Sequence, residues 1–443
     1  MKVSLVSLGC SRTLVDSEVA LGGLKVAGHT IVRDVKDADV AVVNTCGFIE
    51  EAKTESIETI LRLCELKKKG KLSHVVVLGC LAQRHGEELR KEIGDEVDGI
   101  IGTNNYGDLA RVLEPLKAKG KVYEVKAKPH YILNESTPRY SLTPDYFSYV
   151  KISEGCINAC TYCVIPQMKG PHRSRPMEDI LVEIKKLAAR PEVKEINLIG
   201  QDTAAYGYDL NRTLQLPELL KRVAEAAPDK WIRLLYAHPG HVTEALIDVI
   251  AKYPNICKYV DFPVEHSHDA MLKRMNRGVT REKMMWGIET LRKKIPNVSI
   301  RTTIIVGFPG ETEEEFQDLM DFLKEVRFER LGAFMFSNEE GSRAYNLPDH
   351  ISQEVKLERF NAVMAQQQAI SAGINESWIG RSFKVLVDEE NKKEKVWYGR
   401  TEADAPEVDG QVIIHSKRPL KPGDFVEVEI TDALEYDLIG ECV

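Results

Sequence analysis

Three cysteines on one short stretch, Cys156-Ile-Asn-Ala-Cys160-Thr-Tyr-Cys163, have the residue type and spacing to do metal chemistry. Three thiolates this close together can bind three corners of a 4Fe–4S cube and leave the fourth iron without a protein ligand. Such an iron can chelate the amino and carboxylate groups of S-adenosylmethionine. A reduced, low-potential cluster can then pass an electron to the sulfonium and break its bond to the 5′ carbon. A structural zinc site is the alternative. Zinc usually takes a fourth ligand and paired CxxC spacing, and the surrounding sequence is poor in cysteine.

A second set, Cys10, Cys46 and Cys80, is dispersed, at separations of 36 and 34 residues. Each follows a short apolar run, in Ser-Leu-Gly-Cys, Asn-Thr-Cys-Gly and Leu-Gly-Cys, and each has a glycine beside it that permits close backbone approach. If those runs are parallel strands of one sheet, their carboxyl ends lie together and the three thiols can share a second cluster. Singly, each would be read as a small buried hydrophobe. Cys64, Cys257 and Cys442 lack such a setting and are expected to be structural.

The elements that must position these residues alternate between strand and helix. Val3–Ser7, Val40–Asn44, Val75–Leu78 and Gly99–Ile101 read as strands, with helical stretches at Thr13–Ala27, Glu51–Lys69 and Gly86–Ile93, which predicts a parallel α/β domain over 1–126. Residues 127–144 lack periodicity and read as a linker. From 145 to 375 the alternation resumes. Six strand candidates (Tyr149–Ile152, Glu195–Ile199, Ile232–Leu235, Tyr259–Phe262, Ile300–Val306, Leu331–Phe336) alternate with helices, which predicts a partial (β/α)6 barrel. Active residues of such sheets sit at the carboxyl ends of the strands. The last stretch, 376–443, has short alternating strands broken by Gly, Pro and Asp, which predicts a small antiparallel β-barrel.

Composition fits this picture. The 443 residues are 43% hydrophobic and 29% charged, ordinary for a soluble globular protein of two or three domains. No apolar run approaches the length of a membrane span. Leu8-Gly9-Cys10 resembles a lipoprotein cleavage site, but the apolar stretch before it is short and reads better as a first strand. A cytoplasmic protein is expected, in which nine cysteines serve as thiols or ligands rather than disulfides. The net charge of −8 is uneven: residues 376–443 hold 9 Lys and Arg against 16 Asp and Glu, a net of −7.

The loop with Tyr162 before its last cysteine resembles the signature of the radical S-adenosylmethionine superfamily. With the second cysteine set and the terminal barrel, the whole chain resembles the methylthiotransferase family. The likeness extends to Arg173-Ser174-Arg175, Gly200-Gln201-Asp202, Met275-Asn276-Arg277-Gly278 and Val306-Gly307-Phe308-Pro309-Gly310-Glu311-Thr312. It implies two 4Fe–4S clusters on Cys10, Cys46, Cys80 and on Cys156, Cys160, Cys163, S-adenosylmethionine as cosubstrate, an adenine contact by the backbone of Tyr162, and a terminal TRAM domain that binds the substrate. Gln201 and Asp202, at a strand end on the open face, can meet polar groups of S-adenosylmethionine. Gly307 and Gly310 let the chain turn beside a cofactor, or simply connect a strand to a helix capped by Thr312. Arg173 and Arg175 are either a carboxylate grip or a solvated pair. His238, His241, His266 and His268 show no ligand spacing and read as surface or satisfied polar residues. The sequence departs from many relatives at Glu265, where they have Gln, and at Lys169, where they have Arg.

An acidic tail would repel the phosphates of RNA and suit a basic protein surface, unless its binding face lies elsewhere. Asp404-Ala405-Pro406-Glu407-Val408-Asp409-Gly410 and Arg233-Leu234-Leu235-Tyr236 resemble the branch of the family that modifies a protein. That branch adds a methylthio group to the β-carbon of an aspartate in ribosomal protein S-twelve. The partners implied are that ribosomal protein, a low-potential electron donor and a sulfur source, with no membrane. A transfer-RNA adenosine methylthiotransferase and a non-catalytic metal-binding protein are the alternatives.

Overall fold

The computed structural model describes residues 1–118 and 120–443. Its first third is a six-stranded, all-parallel sheet built from β1 (Lys2–Ser7), β2 (Thr30–Ile31), β3 (Val40–Thr45), β4 (His74–Gly79), β5 (Gly99–Ile101) and β6 (Val122–Glu124), in the order β2-β1-β3-β4-β5-β6. Val40 to Val43 and Val75 to Leu78 are buried throughout, the continuous apolar pattern of strands covered on both faces. Helices α1 (Ser11–Val26), α2 (Glu50–Lys68) and α3 (Cys80–Ile93) follow β1, β3 and β4. Because β1, β3 and β4 are neighbours, with Ser7 opposite Asn44 and Thr45 opposite Gly79, their carboxyl ends finish level.

In the central domain, β7 (Phe147–Lys151) is followed by the short pair β8 (Ser153–Glu154) and β9 (Arg173–Ser174), which brackets the loop of Cys156 to Cys163. Then come β10 (Glu195–Ile199), β11 (Trp231–Leu234), β12 (Tyr259–Asp261), β13 (Ser299–Val306) and β14 (Arg330–Met335). The expected six-stranded partial barrel is present, split into two parallel halves, β7-β10-β11 and β12-β13-β14. The Ala237 amide donates to Asp261 across the seam, at 3.0 Å.

The terminal barrel closes through β15 (Ser382–Asn391), β16 (Val396–Arg400), β17 (Val412–His415), β18 (Phe425–Ala433) and β19 (Leu438–Cys442), in the order β15-β16-β17-β19-β18. Two details correct the sequence expectation. Beyond the four strands that the alternating pattern marks, at Phe383–Val387, Val396–Arg400, Val412–His415 and Phe425–Ile430, there is a fifth, β19, and its pairing with β17 is parallel, so the barrel is not purely antiparallel. With Gly440 at its centre and only Leu438 and Ile439 as an apolar pair before it, β19 carries little strand signal by itself.

Residues 127–144 thread between the first two domains and are pinned there. Asn104 Oδ1 accepts from the amides of His130 and Tyr131 at 2.6 and 3.0 Å, and Arg139 pairs with both Glu18 and Glu183. One continuous apolar core runs from Val19 and Leu24 of α1 through Phe147 and Tyr149 to Leu386 and Ala405. It buries enough apolar surface to hold all three parts against one another. No helix among the described residues is long and apolar enough to cross a membrane.

Candidate active site

The level strand ends bring Cys10, Cys46 and Cys80 together. Cys10 caps α1, Cys46 follows β3 directly and Cys80 opens α3. Two glycines make room. At Gly9 (φ +94°) an added Cβ would stand 3.0 Å from Cys46 Cβ, and at Gly79 (φ +105°) it would stand 2.2 Å from Asn44 Oδ1. Both positions need the left-handed backbone that glycine adopts without penalty. The three thiols are electrostatically unequal. Burial pushes Cys80 up to about 12, with Cys46 and Cys10 adding to the rise. Cys46 is also raised, mainly by burial. Burial opposes ionisation of Cys10 as well, but the Arg12 guanidinium, 3.4 Å from Cys10 Sγ, and Thr13 outweigh it and bring the thiol down to about 6.

The loop trio stands across a cavity of about 340 Å³ whose wall holds Cys156, Cys160 and Cys163 together with Tyr162, Gln201 and Asp202. The cavity is bounded by all three domains: Arg12 and Phe48 come from the first, Ala405 and Val408 from the last. Its loop is tied down at several points. The Asn158 amide donates to Cys156 Sγ at 3.4 Å, Arg277 Nη1 to Cys160 Sγ at 3.5 Å, and the Thr161 amide to Met275 O at 2.9 Å. Burial raises the Cys156 thiol to about 12 and pushes Cys163 up too, with neighbouring thiols contributing. A soft metal deprotonates such thiols outright where water would not.

Asp202 is the hub beneath the loop. Its carboxylate accepts from Asn158 Nδ2 at 2.8 Å, lies 2.6 Å from His241 Nδ1 and accepts from the His238 amide at 3.3 Å. Burial alone would raise Asp202, yet His241, His238 and Asn158 hold it well below the usual carboxylate range. Gln201 donates to Glu154 at 2.8 Å, and its Oε1 is buried without a partner in the cavity wall, as are Glu265 Oε2 and Arg277 Nε. Orphaned acceptors and a donor in one wall fit a zwitterionic ligand that satisfies them. Gly307 sits away from this wall. Its amide donates to Glu311 at 2.7 Å and the side chain of Lys356 packs against it, so it turns the chain between strand and helix. Thr312 does cap that helix, in a capping box with Glu315.

Other expectations change. Arg175 is neither a free carboxylate grip nor solvated: it is fully buried, bonded to Asp179 and Glu183 and to Lys151 O. Arg173 spends its donors on the carbonyls of Pro171, Tyr131 and Lys169. His238 and His266 are buried rather than on the surface, and His238 and His241 join Asp202 within 4.8 Å. The sequence gives no sign of that group, because Asp202 and the histidines come from different strand ends. Lys169 pairs with Asp16 at 2.6 Å beside Lys151, so a lysine here reaches a carboxylate of the first domain. Glu265 lines the cavity 3.7 Å from Arg277, and burial raises its carboxyl.

The acidic tail is partly spent inside the molecule. Asp404 pairs with Arg330 at 2.6 Å, Asp409 with Arg301 at 3.3 Å, and the Lys258 amide donates to Glu402 at 3.0 Å. These carboxylates dock the tail on the central barrel and place Ala405 and Val408 in the cavity wall, so the tail's net charge overstates what it shows to a partner. Cys64 and Cys257 are buried in apolar cores, and Cys442 lies on β19.

Residues 150–323 match the Radical SAM superfamily, residues 379–443 the TRAM domain, and residues 2–102 the family described as Uncharacterized protein family UPF0004. The chain is 48% identical over 441 residues to the ribosomal protein uS12 methylthiotransferase RimO of Clostridioides difficile, covering 100% of this chain and 98% of that protein. It is 43% identical over 443 residues to the protein of the same name from Geobacter sulfurreducens, covering 100% and 98%. In fold it is similar to the radical S-adenosylmethionine methyltransferase TsrM from Kitasatospora setae, with a TM-score of 0.60 at 15% identity over 83% of this chain and 89% of that one.

Proposed function

The chain belongs to the family of ribosomal protein uS12 methylthiotransferases, and from that premise we propose that it adds a methylthio group to the β-carbon of an aspartate in that ribosomal protein. It is a transferase that uses 4Fe–4S clusters and S-adenosylmethionine. Cys156, Cys160 and Cys163 would hold one cluster, and Cys10, Cys46 and Cys80 the other. When bound, the first cluster would supply one-electron reduction of S-adenosylmethionine and the second a place to hold sulfur delivered by a separate source.

The observation that carries this reading is the shared cavity. Arg12, bonded to Cys10, and Phe48, two residues after Cys46, stand in the same wall as the loop trio. The chain's own part is orientation and exclusion of water. Phe48, Leu235 and Pro263 give that wall an apolar portion. Asp202 fixes the loop through Asn158, and Gln201 Oε1 and Arg277 Nε are the polar atoms left to meet S-adenosylmethionine. Tyr162 lines the same wall. A substrate in the ribosomal machinery supports a cytoplasmic site of action, where a low-potential electron donor and a sulfur source would serve it.

Mass spectrometry of ribosomal protein S-twelve from a strain lacking this gene tests the reading. The protein should be lighter by one methylthio group; an unchanged mass rejects the assignment. Nucleoside analysis of transfer RNA from the same strain should be unaltered, and a lost methylthioadenosine would favour the RNA-modifying alternative.

A further inference from the structure

Three arginines stand in the cavity wall, and their charges are differently committed. Arg301 lies 3.5 Å from Asp261 and 3.3 Å from Asp409. Arg277 lies 3.7 Å from Glu265 and donates to Pro263 O and Cys160 Sγ. Arg12 has no carboxylate within ion-pair distance among the described residues. It donates Nε to Cys10 Sγ at 3.4 Å and Nη1 to Gly200 O at 3.3 Å, and Nη2 makes no hydrogen bond among the described residues. The guanidinium carbon lies over the Tyr236 ring, 4.3 Å from its centroid. The Tyr236 hydroxyl in turn meets Ser11 Oγ at 3.2 Å, and its amide donates to Asp261 at 3.0 Å. Tyr236 keeps a left-handed φ of +62°, uncommon for an aromatic residue, and this backbone puts the ring beneath Arg12.

We propose that Arg12 is the specificity residue that grips the side-chain carboxylate of the target aspartate. The inference rests on the function proposed above and names the group that recognises its substrate. A carboxylate brought into a cavity out of water needs a charged, hydrogen-bonding partner, and a planar guanidinium offers a fork that matches it. Arg12 is the wall cation that, among the described residues, has no carboxylate within ion-pair distance. The carboxylate carbon of aspartate is bonded directly to its β-carbon. A side chain gripped here therefore has its reacting carbon beside Cys10 and facing the cavity of the loop trio. Asp202, the carboxylate hub nearby, is a weaker candidate for an added role, because its oxygens are already met by Asn158, His241 and the His238 amide.

The test is a cycle on the cluster-loaded enzyme. Wild type and Arg12→Gln are each titrated by fluorescence anisotropy with a synthetic peptide carrying the target aspartate and with its Asn counterpart, while methylthio product is read by mass spectrometry. Wild type should bind the Asp peptide at least ~10-fold more tightly than the Asn peptide, as expected for a charge-assisted hydrogen-bonded pair, and Arg12→Gln should bring that ratio close to one. An equal ratio in the two proteins, or no preference in wild type, overturns the assignment. Iron and sulfide content shows whether the Gln variant keeps both clusters. If it does not, Arg12→Lys decides: the retained charge without the fork should leave a preference for Asp smaller than wild type's, and an undiminished preference overturns the proposal. Wild type that forms no methylthio product on the Asp peptide brings down the functional reading and this inference together. Product formed with an unchanged ratio removes Arg12 alone.

Discussion

The two cysteine trios reach similar ends by opposite routes. Cys156, Cys160 and Cys163 lie on one loop between β8 and β9, so their proximity is largely a property of eight residues of chain. Cys10, Cys46 and Cys80 are neighbours only because β1, β3 and β4 are adjacent, parallel and in register. Their electrostatics differ as well. In the loop trio burial leaves Cys156 and Cys163 raised, whereas Arg12 reverses burial at Cys10. A local motif can tolerate change in the surrounding sheet; a trio assembled from three strand ends depends on the sheet's packing.

The largest effects should separate the trios by function. Cys160→Ala should abolish formation of both 5′-deoxyadenosine and methylthio product. Cys46→Ala should abolish methylthio product and halve the iron and sulfide per chain, while 5′-deoxyadenosine is still formed. Chromatography of the nucleoside products with iron and sulfide analysis checks this, and identical losses in the two variants would erase the distinction.

A smaller effect probes the dependence on the sheet. In Gly79→Ala the new methyl meets Asn44 Oδ1 and the backbone is held at φ +105°, so about 1–3 kcal/mol of stability should be lost. Denaturant unfolding measures it. The iron lost should be that of the strand-end trio, so reductive cleavage of S-adenosylmethionine persists. Loss of the loop cluster instead would show that the trios are not independent.

The smallest effect concerns the polar contact between the domains that carry the two trios. Lys151 bridges Asp16 of α1 and Glu154 of β8, at 2.5 and 2.8 Å, and Lys169 also reaches Asp16. Burial would raise Glu154, but Lys151 and Lys169 depress it from 4.5 to about 2. A carboxyl depressed on folding contributes stability that is fully present above pH 4.5 and is lost as pH falls toward about 2. Urea midpoints across that window should fall more steeply in wild type than in Glu154→Gln. Parallel curves would remove Glu154 from the acid sensitivity of this contact.

Much of this was legible in the chain. Val40 to Val43 announce a strand covered on both faces, the spacing of Cys156, Cys160 and Cys163 marks the loop trio, and the glycine-flanked cysteines after apolar runs point to the other trio before any fold is known. Other features were not. Sequence reading assigns Arg175 to a carboxylate ligand or to solvent and counts Asp404 within an acidic tail suited to a basic surface, yet each is buried against a partner, Glu183 eight residues on and Arg330 in another domain. The −7 of the tail misleads for the same reason, since composition counts charges but not the charges that neutralise them. His238 and His241 looked unremarkable because the carboxylate that gathers them, Asp202, ends a different strand.

By itself, then, the sequence determined what depends on local spacing and periodicity: six thiols in two sets, three successive domains, and the parallel sheets of the first two. Only the tertiary structure decided which charges meet, that one cavity is walled by all three domains, and that Arg12 faces it with no carboxylate in ion-pair distance among the described residues. Hydrophobic period is a property of neighbouring residues along the chain. Ion pairing and desolvation depend on distances between residues that the chain leaves far apart, and those distances exist only once the cores have packed.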